Sequence, residues 1–202
     1  MIKNIIFDIG KVLVSYEPDI MMKDLGFDDD IIGRVNKALF ENELWEQSDQ
    51  GLFSPSEILQ KAIDNDTDIK DYIVKAWENV GKSIARYDYV YDWINTYKDN
   101  GYNVYILSNY SKHTLEHTKE QLSFLSLMDG VVFSYECKLM KPMEEIYNLL
   151  LEKYDLVPEE CIFIDDRPVN IEGAKKCGIN GIVFKDYNQA KRDIAAICNK
   201  YK

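Results

Sequence analysis

Four polar stretches in this chain follow apolar runs, and between them they carry carboxylates, a hydroxyl and an ammonium group. Asp8 follows Ile5-Ile6-Phe7, Ser108-Asn109 follow Val104 to Leu107, and Asp165-Asp166 follow Ile162 to Ile164. Lys141 lies eight residues beyond the run Val131 to Phe133. Singly, each has an ordinary reading: an acid or a Ser-Asn pair after a strand caps a turn, and a lysine before a proline is a solvated charge. In combination they are harder to set aside. Asp165 and Asp166 leave a wholly apolar run and would repel each other unless a cation sat nearby. A hard, oxygen-liganded ion such as Mg²⁺ would supply that charge.

Such groups act together only if the chain brings them to one place. The apolar runs, with a fifth from Gly181 to Phe184, lack polar alternation, the pattern of parallel strands covered on both faces. Helical stretches join the last four. Val90, Trp93, Ile94 and Tyr97 stand at helical spacing before an Asn100-Gly101 stop. Pro142 is expected in the first turn of a helix through Leu149 to Leu151, and Pro168 and Gly178 bracket another. Ligands of open α/β sheets bind beyond the carboxyl ends of the strands, so the four polar stretches converge on one edge.

One connection is far too long for a crossover. About 70 residues, Ser15 to about Arg86, separate the first strand from the helix leading to the second. Glu17-Pro18-Asp19 and Asp28 to Asp30 open helices there, and Ser54-Pro55-Ser56-Glu57 is a capping box. The expected architecture is α/β: a doubly wound, mostly parallel, Rossmann-like core of residues 1–14 and 87–202, with a helical cap of residues 15–86 inserted after the first strand.

Composition narrows the partners. Lys and Arg number 24 against 35 Asp and Glu, a formal net charge of −11. That field repels nucleic acid and anionic membrane, so neither is an expected partner and an anionic ligand must be held by local donors. The four cysteines show no C-x-x-C spacing, and the apolar run at the N-terminus is too short for a signal sequence or a span. A soluble cytoplasmic protein is expected.

The sequence Phe7-Asp8-Ile9-Gly10-Lys11-Val12-Leu13-Val14, then Leu107-Ser108-Asn109, Lys141-Pro142 and Ile164-Asp165-Asp166, with Asn170, Gly173-Ala174 and Gly178 after it, resembles the four ordered motifs of the haloacid dehalogenase superfamily. The gap between the first two motifs resembles that of members with a helical cap. The resemblance implies that Asp8 is a nucleophile that takes a phosphoryl group and later yields it to water. It implies that Ser108, Asn109 and Lys141 hold the phosphate. Mg²⁺ is then bound by Asp8, the Gly10 carbonyl and Asp166, with Asp165 orienting Lys141 or a metal-bound water and Asn170 in support. The implied partner is a small phosphorylated metabolite such as a sugar phosphate.

One position departs from the pattern. Most phosphatases of the superfamily carry a second Asp two residues after the nucleophile, where Gly10 stands here, and general acid-base help is worth about 10² to 10⁴ in rate. A less basic leaving group would need less help, and Glu46 or Asp49 of the cap could substitute. A bacterial branch similar to α-glucose-1-phosphate phosphatase also has Gly there, within D-x-G-N-V, although Lys11 replaces its Asn. The alternatives are a metal-independent 2-haloacid dehalogenase, which Asp165-Asp166 disfavour, and a catalytically weak phospho-ligand-binding protein.

Other features have plain readings. Gly81-Lys82-Ser83 lacks the first glycine of a P-loop and a preceding strand. Asp64, Asp66 and Asp68 lack the Gly and Glu of an EF-hand and are expected to form a solvated turn that caps the next helix. His113 and His117 are expected on a solvated helix surface, and Trp45, Phe53 and Trp77 in the cap's own core.

Overall fold

A computed structural model describes residues 1–200. Its centre is a five-stranded, wholly parallel sheet of β1 (Asn4–Phe7), β2 (Asn103–Ser108), β3 (Gly130–Phe133), β4 (Cys161–Asp165) and β5 (Asn180–Val183). The spatial order β3-β2-β1-β4-β5 puts a reversal at β1 and β4, where the chain turns from building one side of the sheet to building the other. In register, Ile5 lies opposite Val104 and Ile162. β5 begins one residue earlier than its apolar run, because Asn180 pairs opposite Ile162.

Alternation sends successive residues of each strand to opposite faces. Ile5 and Phe7 join a core layer with Val90, Trp93, Ile94, Ala190 and Ile194, which belong to the helices of residues 90–99 and 187–200. Ile6 and Phe163 join the opposite layer with Ile146, Tyr147, Ile171 and Ala174. Both faces of the sheet are therefore covered, which explains why its strands carry apolar residues at consecutive positions.

Between β1 and β2 lie α1 (Pro18–Asp24), α2 (Asp29–Val35), α3 (Glu43–Asp49), α4 (Pro55–Asn65) and α5 (Lys70–Glu78), followed by α6 (Val90–Asp99). Residues of the first five, with Leu39 from the turn of residues 36–40, share a separate apolar cluster that includes Met22, Val35, Ile58, Ile73 and Trp77. Local signals set their starts. The Asp28 carboxylate accepts the Ile31 N–H, and Ser54 and Glu57 form the reciprocal capping box. The chain leaves and re-enters the sheet region through adjacent stretches, with Ser15 and Glu17 donating backbone bonds to Ala85 and Ser83.

After β2 come α7 (Lys112–His117), α8 (Ser134–Cys137), α9 (Glu144–Lys153), α10 (Pro168–Lys176) and α11 (Tyr187–Lys200). Three expectations need correction. α9 begins at Glu144, so Pro142 lies outside its first turn, in a cis peptide with Lys141. His113 is buried, its ring stacked 3.8 Å from that of Trp77 and its Nε2 2.9 Å from the Trp77 carbonyl, because α7 packs against the end of the inserted helices. Asp66 is not simply solvated: it is half-buried and takes a two-pronged ion pair from Arg34, at 2.8 and 2.6 Å. Among the described residues no helix is long and apolar enough to cross a membrane.

Candidate active site

The parallel strands carry the four polar stretches to their shared carboxyl edge, beside a cavity of about 640 Å³. Asp8 leaves β1 with its N–H still bonded to the Ile164 carbonyl, 2.9 Å, so the sheet's own ladder fixes where its side chain begins. Ser108, the last residue of β2, donates its hydroxyl to Asp8 Oδ1 at 2.7 Å. Lys141 Nζ lies 2.8 Å from the same Asp8 oxygen and 2.7 Å from Asp165 Oδ2. The ammonium is 1% exposed and its third neighbour is the Phe163 ring, 5.2 Å from the nitrogen.

Asp165 is fully committed to this arrangement. Besides Lys141, it accepts the Arg167 N–H at 2.8 Å and both of its oxygens receive the Asn170 amide at 3.0 Å. Asp166, the next residue, is half-buried and faces the cavity. The tandem acids are thus divided by the end of β4: one is locked inward on the lysine and the other is free to meet a ligand.

Asn109 stands between the cavity and the lysine's turn. Its side-chain oxygen accepts the Lys141 N–H at 2.9 Å and its amide donates to the Lys141 carbonyl at 3.0 Å. Both ends of the carboxamide therefore grip the lysine's backbone, while Asn109 still lines the cavity with its main chain and its second amide N–H available. Gly173 completes that support. A Cβ there would lie 2.6 Å from the Pro142 carbonyl and 3.0 Å from the Tyr147 ring, so α10 approaches the lysine's turn as closely as it does only without a side chain. Gly173→Ala should cost about 1 to 3 kcal/mol by forcing the two apart. Urea denaturation measures it, and an unchanged midpoint would contradict the close packing.

Electrostatics follow from burial. Desolvation pushes the Asp8 carboxyl up to about 6, with Lys141 pulling it down and Asp165 pushing it further up. Burial drags the Lys141 ammonium downward, but Asp8 and Asp165 more than offset this, so it ends above its ordinary value and stays charged. Burial raises Asp166 as well, with Asp165 adding to the rise and Lys11 and Lys141 opposing it. Three acids thus face one ammonium group, and carboxylate oxygens of Asp8, Asp165 and Asp166 lie within 4.8 Å of one another. Asn170 Oδ1 is buried beside them without a protein hydrogen-bond partner. An all-oxygen set with surplus negative charge and an orphaned carbonyl oxygen suits a small hard divalent cation.

The opposite wall comes from the inserted helices. Tyr16, Phe40, Trp45 and Asp49 line it, with the Tyr16 and Trp45 rings stacked at 6.2 Å and Phe40 edge-on to Trp45 at 5.0 Å. Trp45 both lines the cavity and packs, like Phe53, against the helical cluster that holds Trp77, as expected for the cap's own core. No motif or spacing marks Tyr16, whose buried hydroxyl has no protein partner, or Arg167, whose backbone fixes Asp165. Lys11 adopts φ 56°, in the left-handed region that side chains other than Asn and Asp enter at a backbone cost.

Comparison with known proteins agrees with this edge of strand ends. Relatives include a sesquiterpene phosphatase, astK, of Aspergillus oryzae, 25% identical over 189 residues, covering 91% of this chain and 90% of that protein. A D-ribitol-5-phosphate phosphatase of Bacteroides thetaiotaomicron is 25% identical over 215 residues, 98% of this chain and all of its own length. The fold matches a crystal structure of the HAD family enzyme bt-2542 from Bacteroides thetaiotaomicron, in complex with magnesium and inorganic phosphate. That match has a TM-score of 0.74 at 22% identity and covers 94% of this chain and 99% of the other. A family model for haloacid dehalogenase-like hydrolases spans residues 2–178, which takes in all four polar stretches from Asp8 to Asp166 and the glycines Gly173 and Gly178. With strand order, motif order and that span in agreement, the chain belongs to the haloacid dehalogenase-like hydrolases.

Proposed function

We propose that the protein is a Mg²⁺-dependent phosphatase that hydrolyses a small phosphomonoester through an aspartyl-phosphate on Asp8. The observation that carries this reading is the buried ammonium of Lys141, set 2.8 and 2.7 Å from Asp8 and Asp165, with a third acid, Asp166, turned toward the cavity. Asp8, Asp166 and the Gly10 carbonyl would hold the ion, with Asp165 and Asn170 behind them. Bound there, Mg²⁺ supplies positive charge that lets a carboxylate and a phosphate dianion approach.

The chain's own groups do the rest. Asp8 attacks phosphorus in line, while Lys141 and the Ser108 hydroxyl, both already on Asp8 Oδ1, are placed to receive the transferring phosphoryl oxygens. Asp165 and Asn109 hold the lysine from its two ends, so the donors are oriented before substrate arrives. Residues 15–86 act as a cap whose aromatic wall of Tyr16, Phe40 and Trp45 meets the part of the substrate beyond the phosphate. A polyol or sugar phosphate suits a wall that combines rings with the unpartnered Tyr16 hydroxyl.

A dehalogenase needs no cation, and the surplus acid Asp166 then has no purpose. The test is phosphate release from ribitol 5-phosphate, hexose phosphates, a prenyl phosphate and acetyl phosphate, with Mg²⁺ and with a chelator. Turnover of at least one phosphomonoester that falls about 10²-fold or more on chelation is expected. Chelator-insensitive halide release from 2-haloacids, or tight phosphate binding without turnover of any ester, would overturn the reading.

A further inference from the structure

We propose that Asp49, the last residue of α3, donates the proton to the leaving oxygen and then takes one from the hydrolytic water, the role for which Gly10 has no side chain. The proposal rests on the phosphatase reading above. Asp49 lines the same cavity as Asp8, Gly10, Lys141 and Asp166, and it belongs to the inserted helices, which form the wall opposite the strand ends that carry Asp8. Glu46, one turn earlier on the same helix, is exposed at the cavity mouth and open to water.

Asp49 is also fixed in place, although it belongs to the inserted helices. Its carbonyl accepts the Ser134 hydroxyl, and Ser134 in turn accepts the Tyr110 N–H at 2.9 Å. The next two residues are gripped as well: Gln50 donates its amide to the Lys138 carbonyl at 2.8 Å, and the Lys138 ammonium meets the Gly51 carbonyl. Gly51 sits so tightly that a Cβ would fall 2.6 Å from the Tyr135 carbonyl. This seam between α3 and α8 ties the carboxyl of Asp49 to the same body that carries Asp8.

No lysine or arginine among the described residues forms an ion pair with Asp49. Burial, then Asp8, then Glu46 raise its carboxyl well above the ordinary value, against the Ser111 backbone N–H and the more distant Lys141. The phenols of Tyr16 and Tyr110 also face it, both held neutral chiefly by burial. A carboxyl raised in this way is biased toward its protonated, proton-donating form.

The steps balance. As Asp8 bonds to phosphorus and the ester P–O bond breaks, the leaving oxygen takes the Asp49 proton and departs as an alcohol. Water then attacks the phosphorus of the aspartyl-phosphate, the bond to Asp8 breaks, and Asp49 carboxylate takes the water's proton as inorganic phosphate forms.

The experiment is kcat/KM for phenyl, p-nitrophenyl and 2,4-dinitrophenyl phosphates with Mg²⁺. Asp49→Asn should cost about 10²-fold or more with phenyl phosphate and only a few-fold with the dinitrophenyl ester, whose leaving group needs no proton. Gly10→Asp in the Asp49→Asn background should restore much of the loss, because a Cβ at Gly10 meets nothing within 4 Å. If Asp49→Asn does not fold, the wild-type pH profile decides: activity on phenyl phosphate, but not on the dinitrophenyl ester, should fall as pH rises through the Asp49 transition. Equal losses for all three esters, or identical pH profiles, would overturn the proposal. Phosphate release surviving in Asp8→Asn would instead overturn the aspartyl-phosphate on Asp8 that the reading beneath it assigns.

Discussion

Asp8→Asn should abolish phosphate release, by about 10⁴-fold or more, while making the metal-free protein more stable at alkaline pH. The first effect follows from the role proposed for Asp8: an amide oxygen is a poor nucleophile toward phosphorus, and none of the neighbouring acids can take its place. Asp165 is held by Lys141, Asn170 and the Arg167 N–H, and Asp166 lies on the next residue, outside the strand. The second effect follows from linkage. The folded Asp8 carboxyl titrates near 6 against 3.8 when solvated, so between those values the native state binds more protons than the unfolded state. Stability from this group is present below the lower value and is lost as pH rises through the upper one. Asn carries no charge at any of these pH values. The stability of the variant relative to wild type should therefore improve by on the order of 2 kcal/mol between pH 4 and pH 8 in chelator. Urea denaturation at the two values measures it, together with a phosphoryl adduct sought on the Asp8 peptide of quenched wild-type turnover. Near-normal turnover in the variant would remove Asp8 from the chemistry, and a stability difference independent of pH would remove the buried charge as its cause.

The residues around Asp8 were legible in the sequence because parallel strands are read from composition and end where polar residues begin. Ile5-Ile6-Phe7-Asp8 and Ile162-Phe163-Ile164-Asp165 each state a strand and its functional terminus in four letters, and the ladder then places them side by side. The different roles expected of Asp165 and Asp166 came from the resemblance to the family's motifs alone; the structure sets Asp165 on Lys141 and leaves Asp166 half-buried at the cavity. What the sequence withheld depends on packing between distant segments. Asn109 has the polarity of a phosphate ligand, yet its carboxamide is complementary to one backbone unit, at Lys141, that lies 32 residues away. His113 looked like a surface residue because four-residue spacing says nothing of Trp77, which arrives from the inserted helices. Asp49 could be named as a candidate but not separated from Glu46. Both lie on one helix face, and the difference between them is made by Ser134 and Lys138 across the seam.

Lys141→Met should inactivate the enzyme by about 10³-fold or more and should destabilise it in a pH-dependent way that separates charge from packing. Methionine nearly fills the lysine's volume and keeps contact with Phe163, so little of the loss comes from a cavity. What is lost is the one ammonium between Asp8 and Asp165, at 2.8 and 2.7 Å, in a site almost closed to water. Removing one member of a buried pair typically costs about 3 to 5 kcal/mol, because the remaining charge is left uncompensated. Protonating the acids avoids that cost. The Asp8 carboxyl, already raised by burial and by Asp165, would rise further without the lysine that now lowers it. In chelator the variant should therefore approach wild-type stability near pH 4 and fall progressively behind as pH rises past 6. Mg²⁺ should recover part of the deficit at pH 8, since a divalent cation can stand against the same oxygens. Activity should not return with the ion, because the positioned donor for the phosphoryl oxygens is gone. Lys141→Arg should not rescue either function: the lysine is 1% exposed, and a planar guanidinium cannot occupy its place between two carboxylates without displacing them. A stability loss of equal size at pH 4 and pH 8, untouched by Mg²⁺, would mean that the lysine serves as a packing element, and the electrostatic account of the site would fall with it.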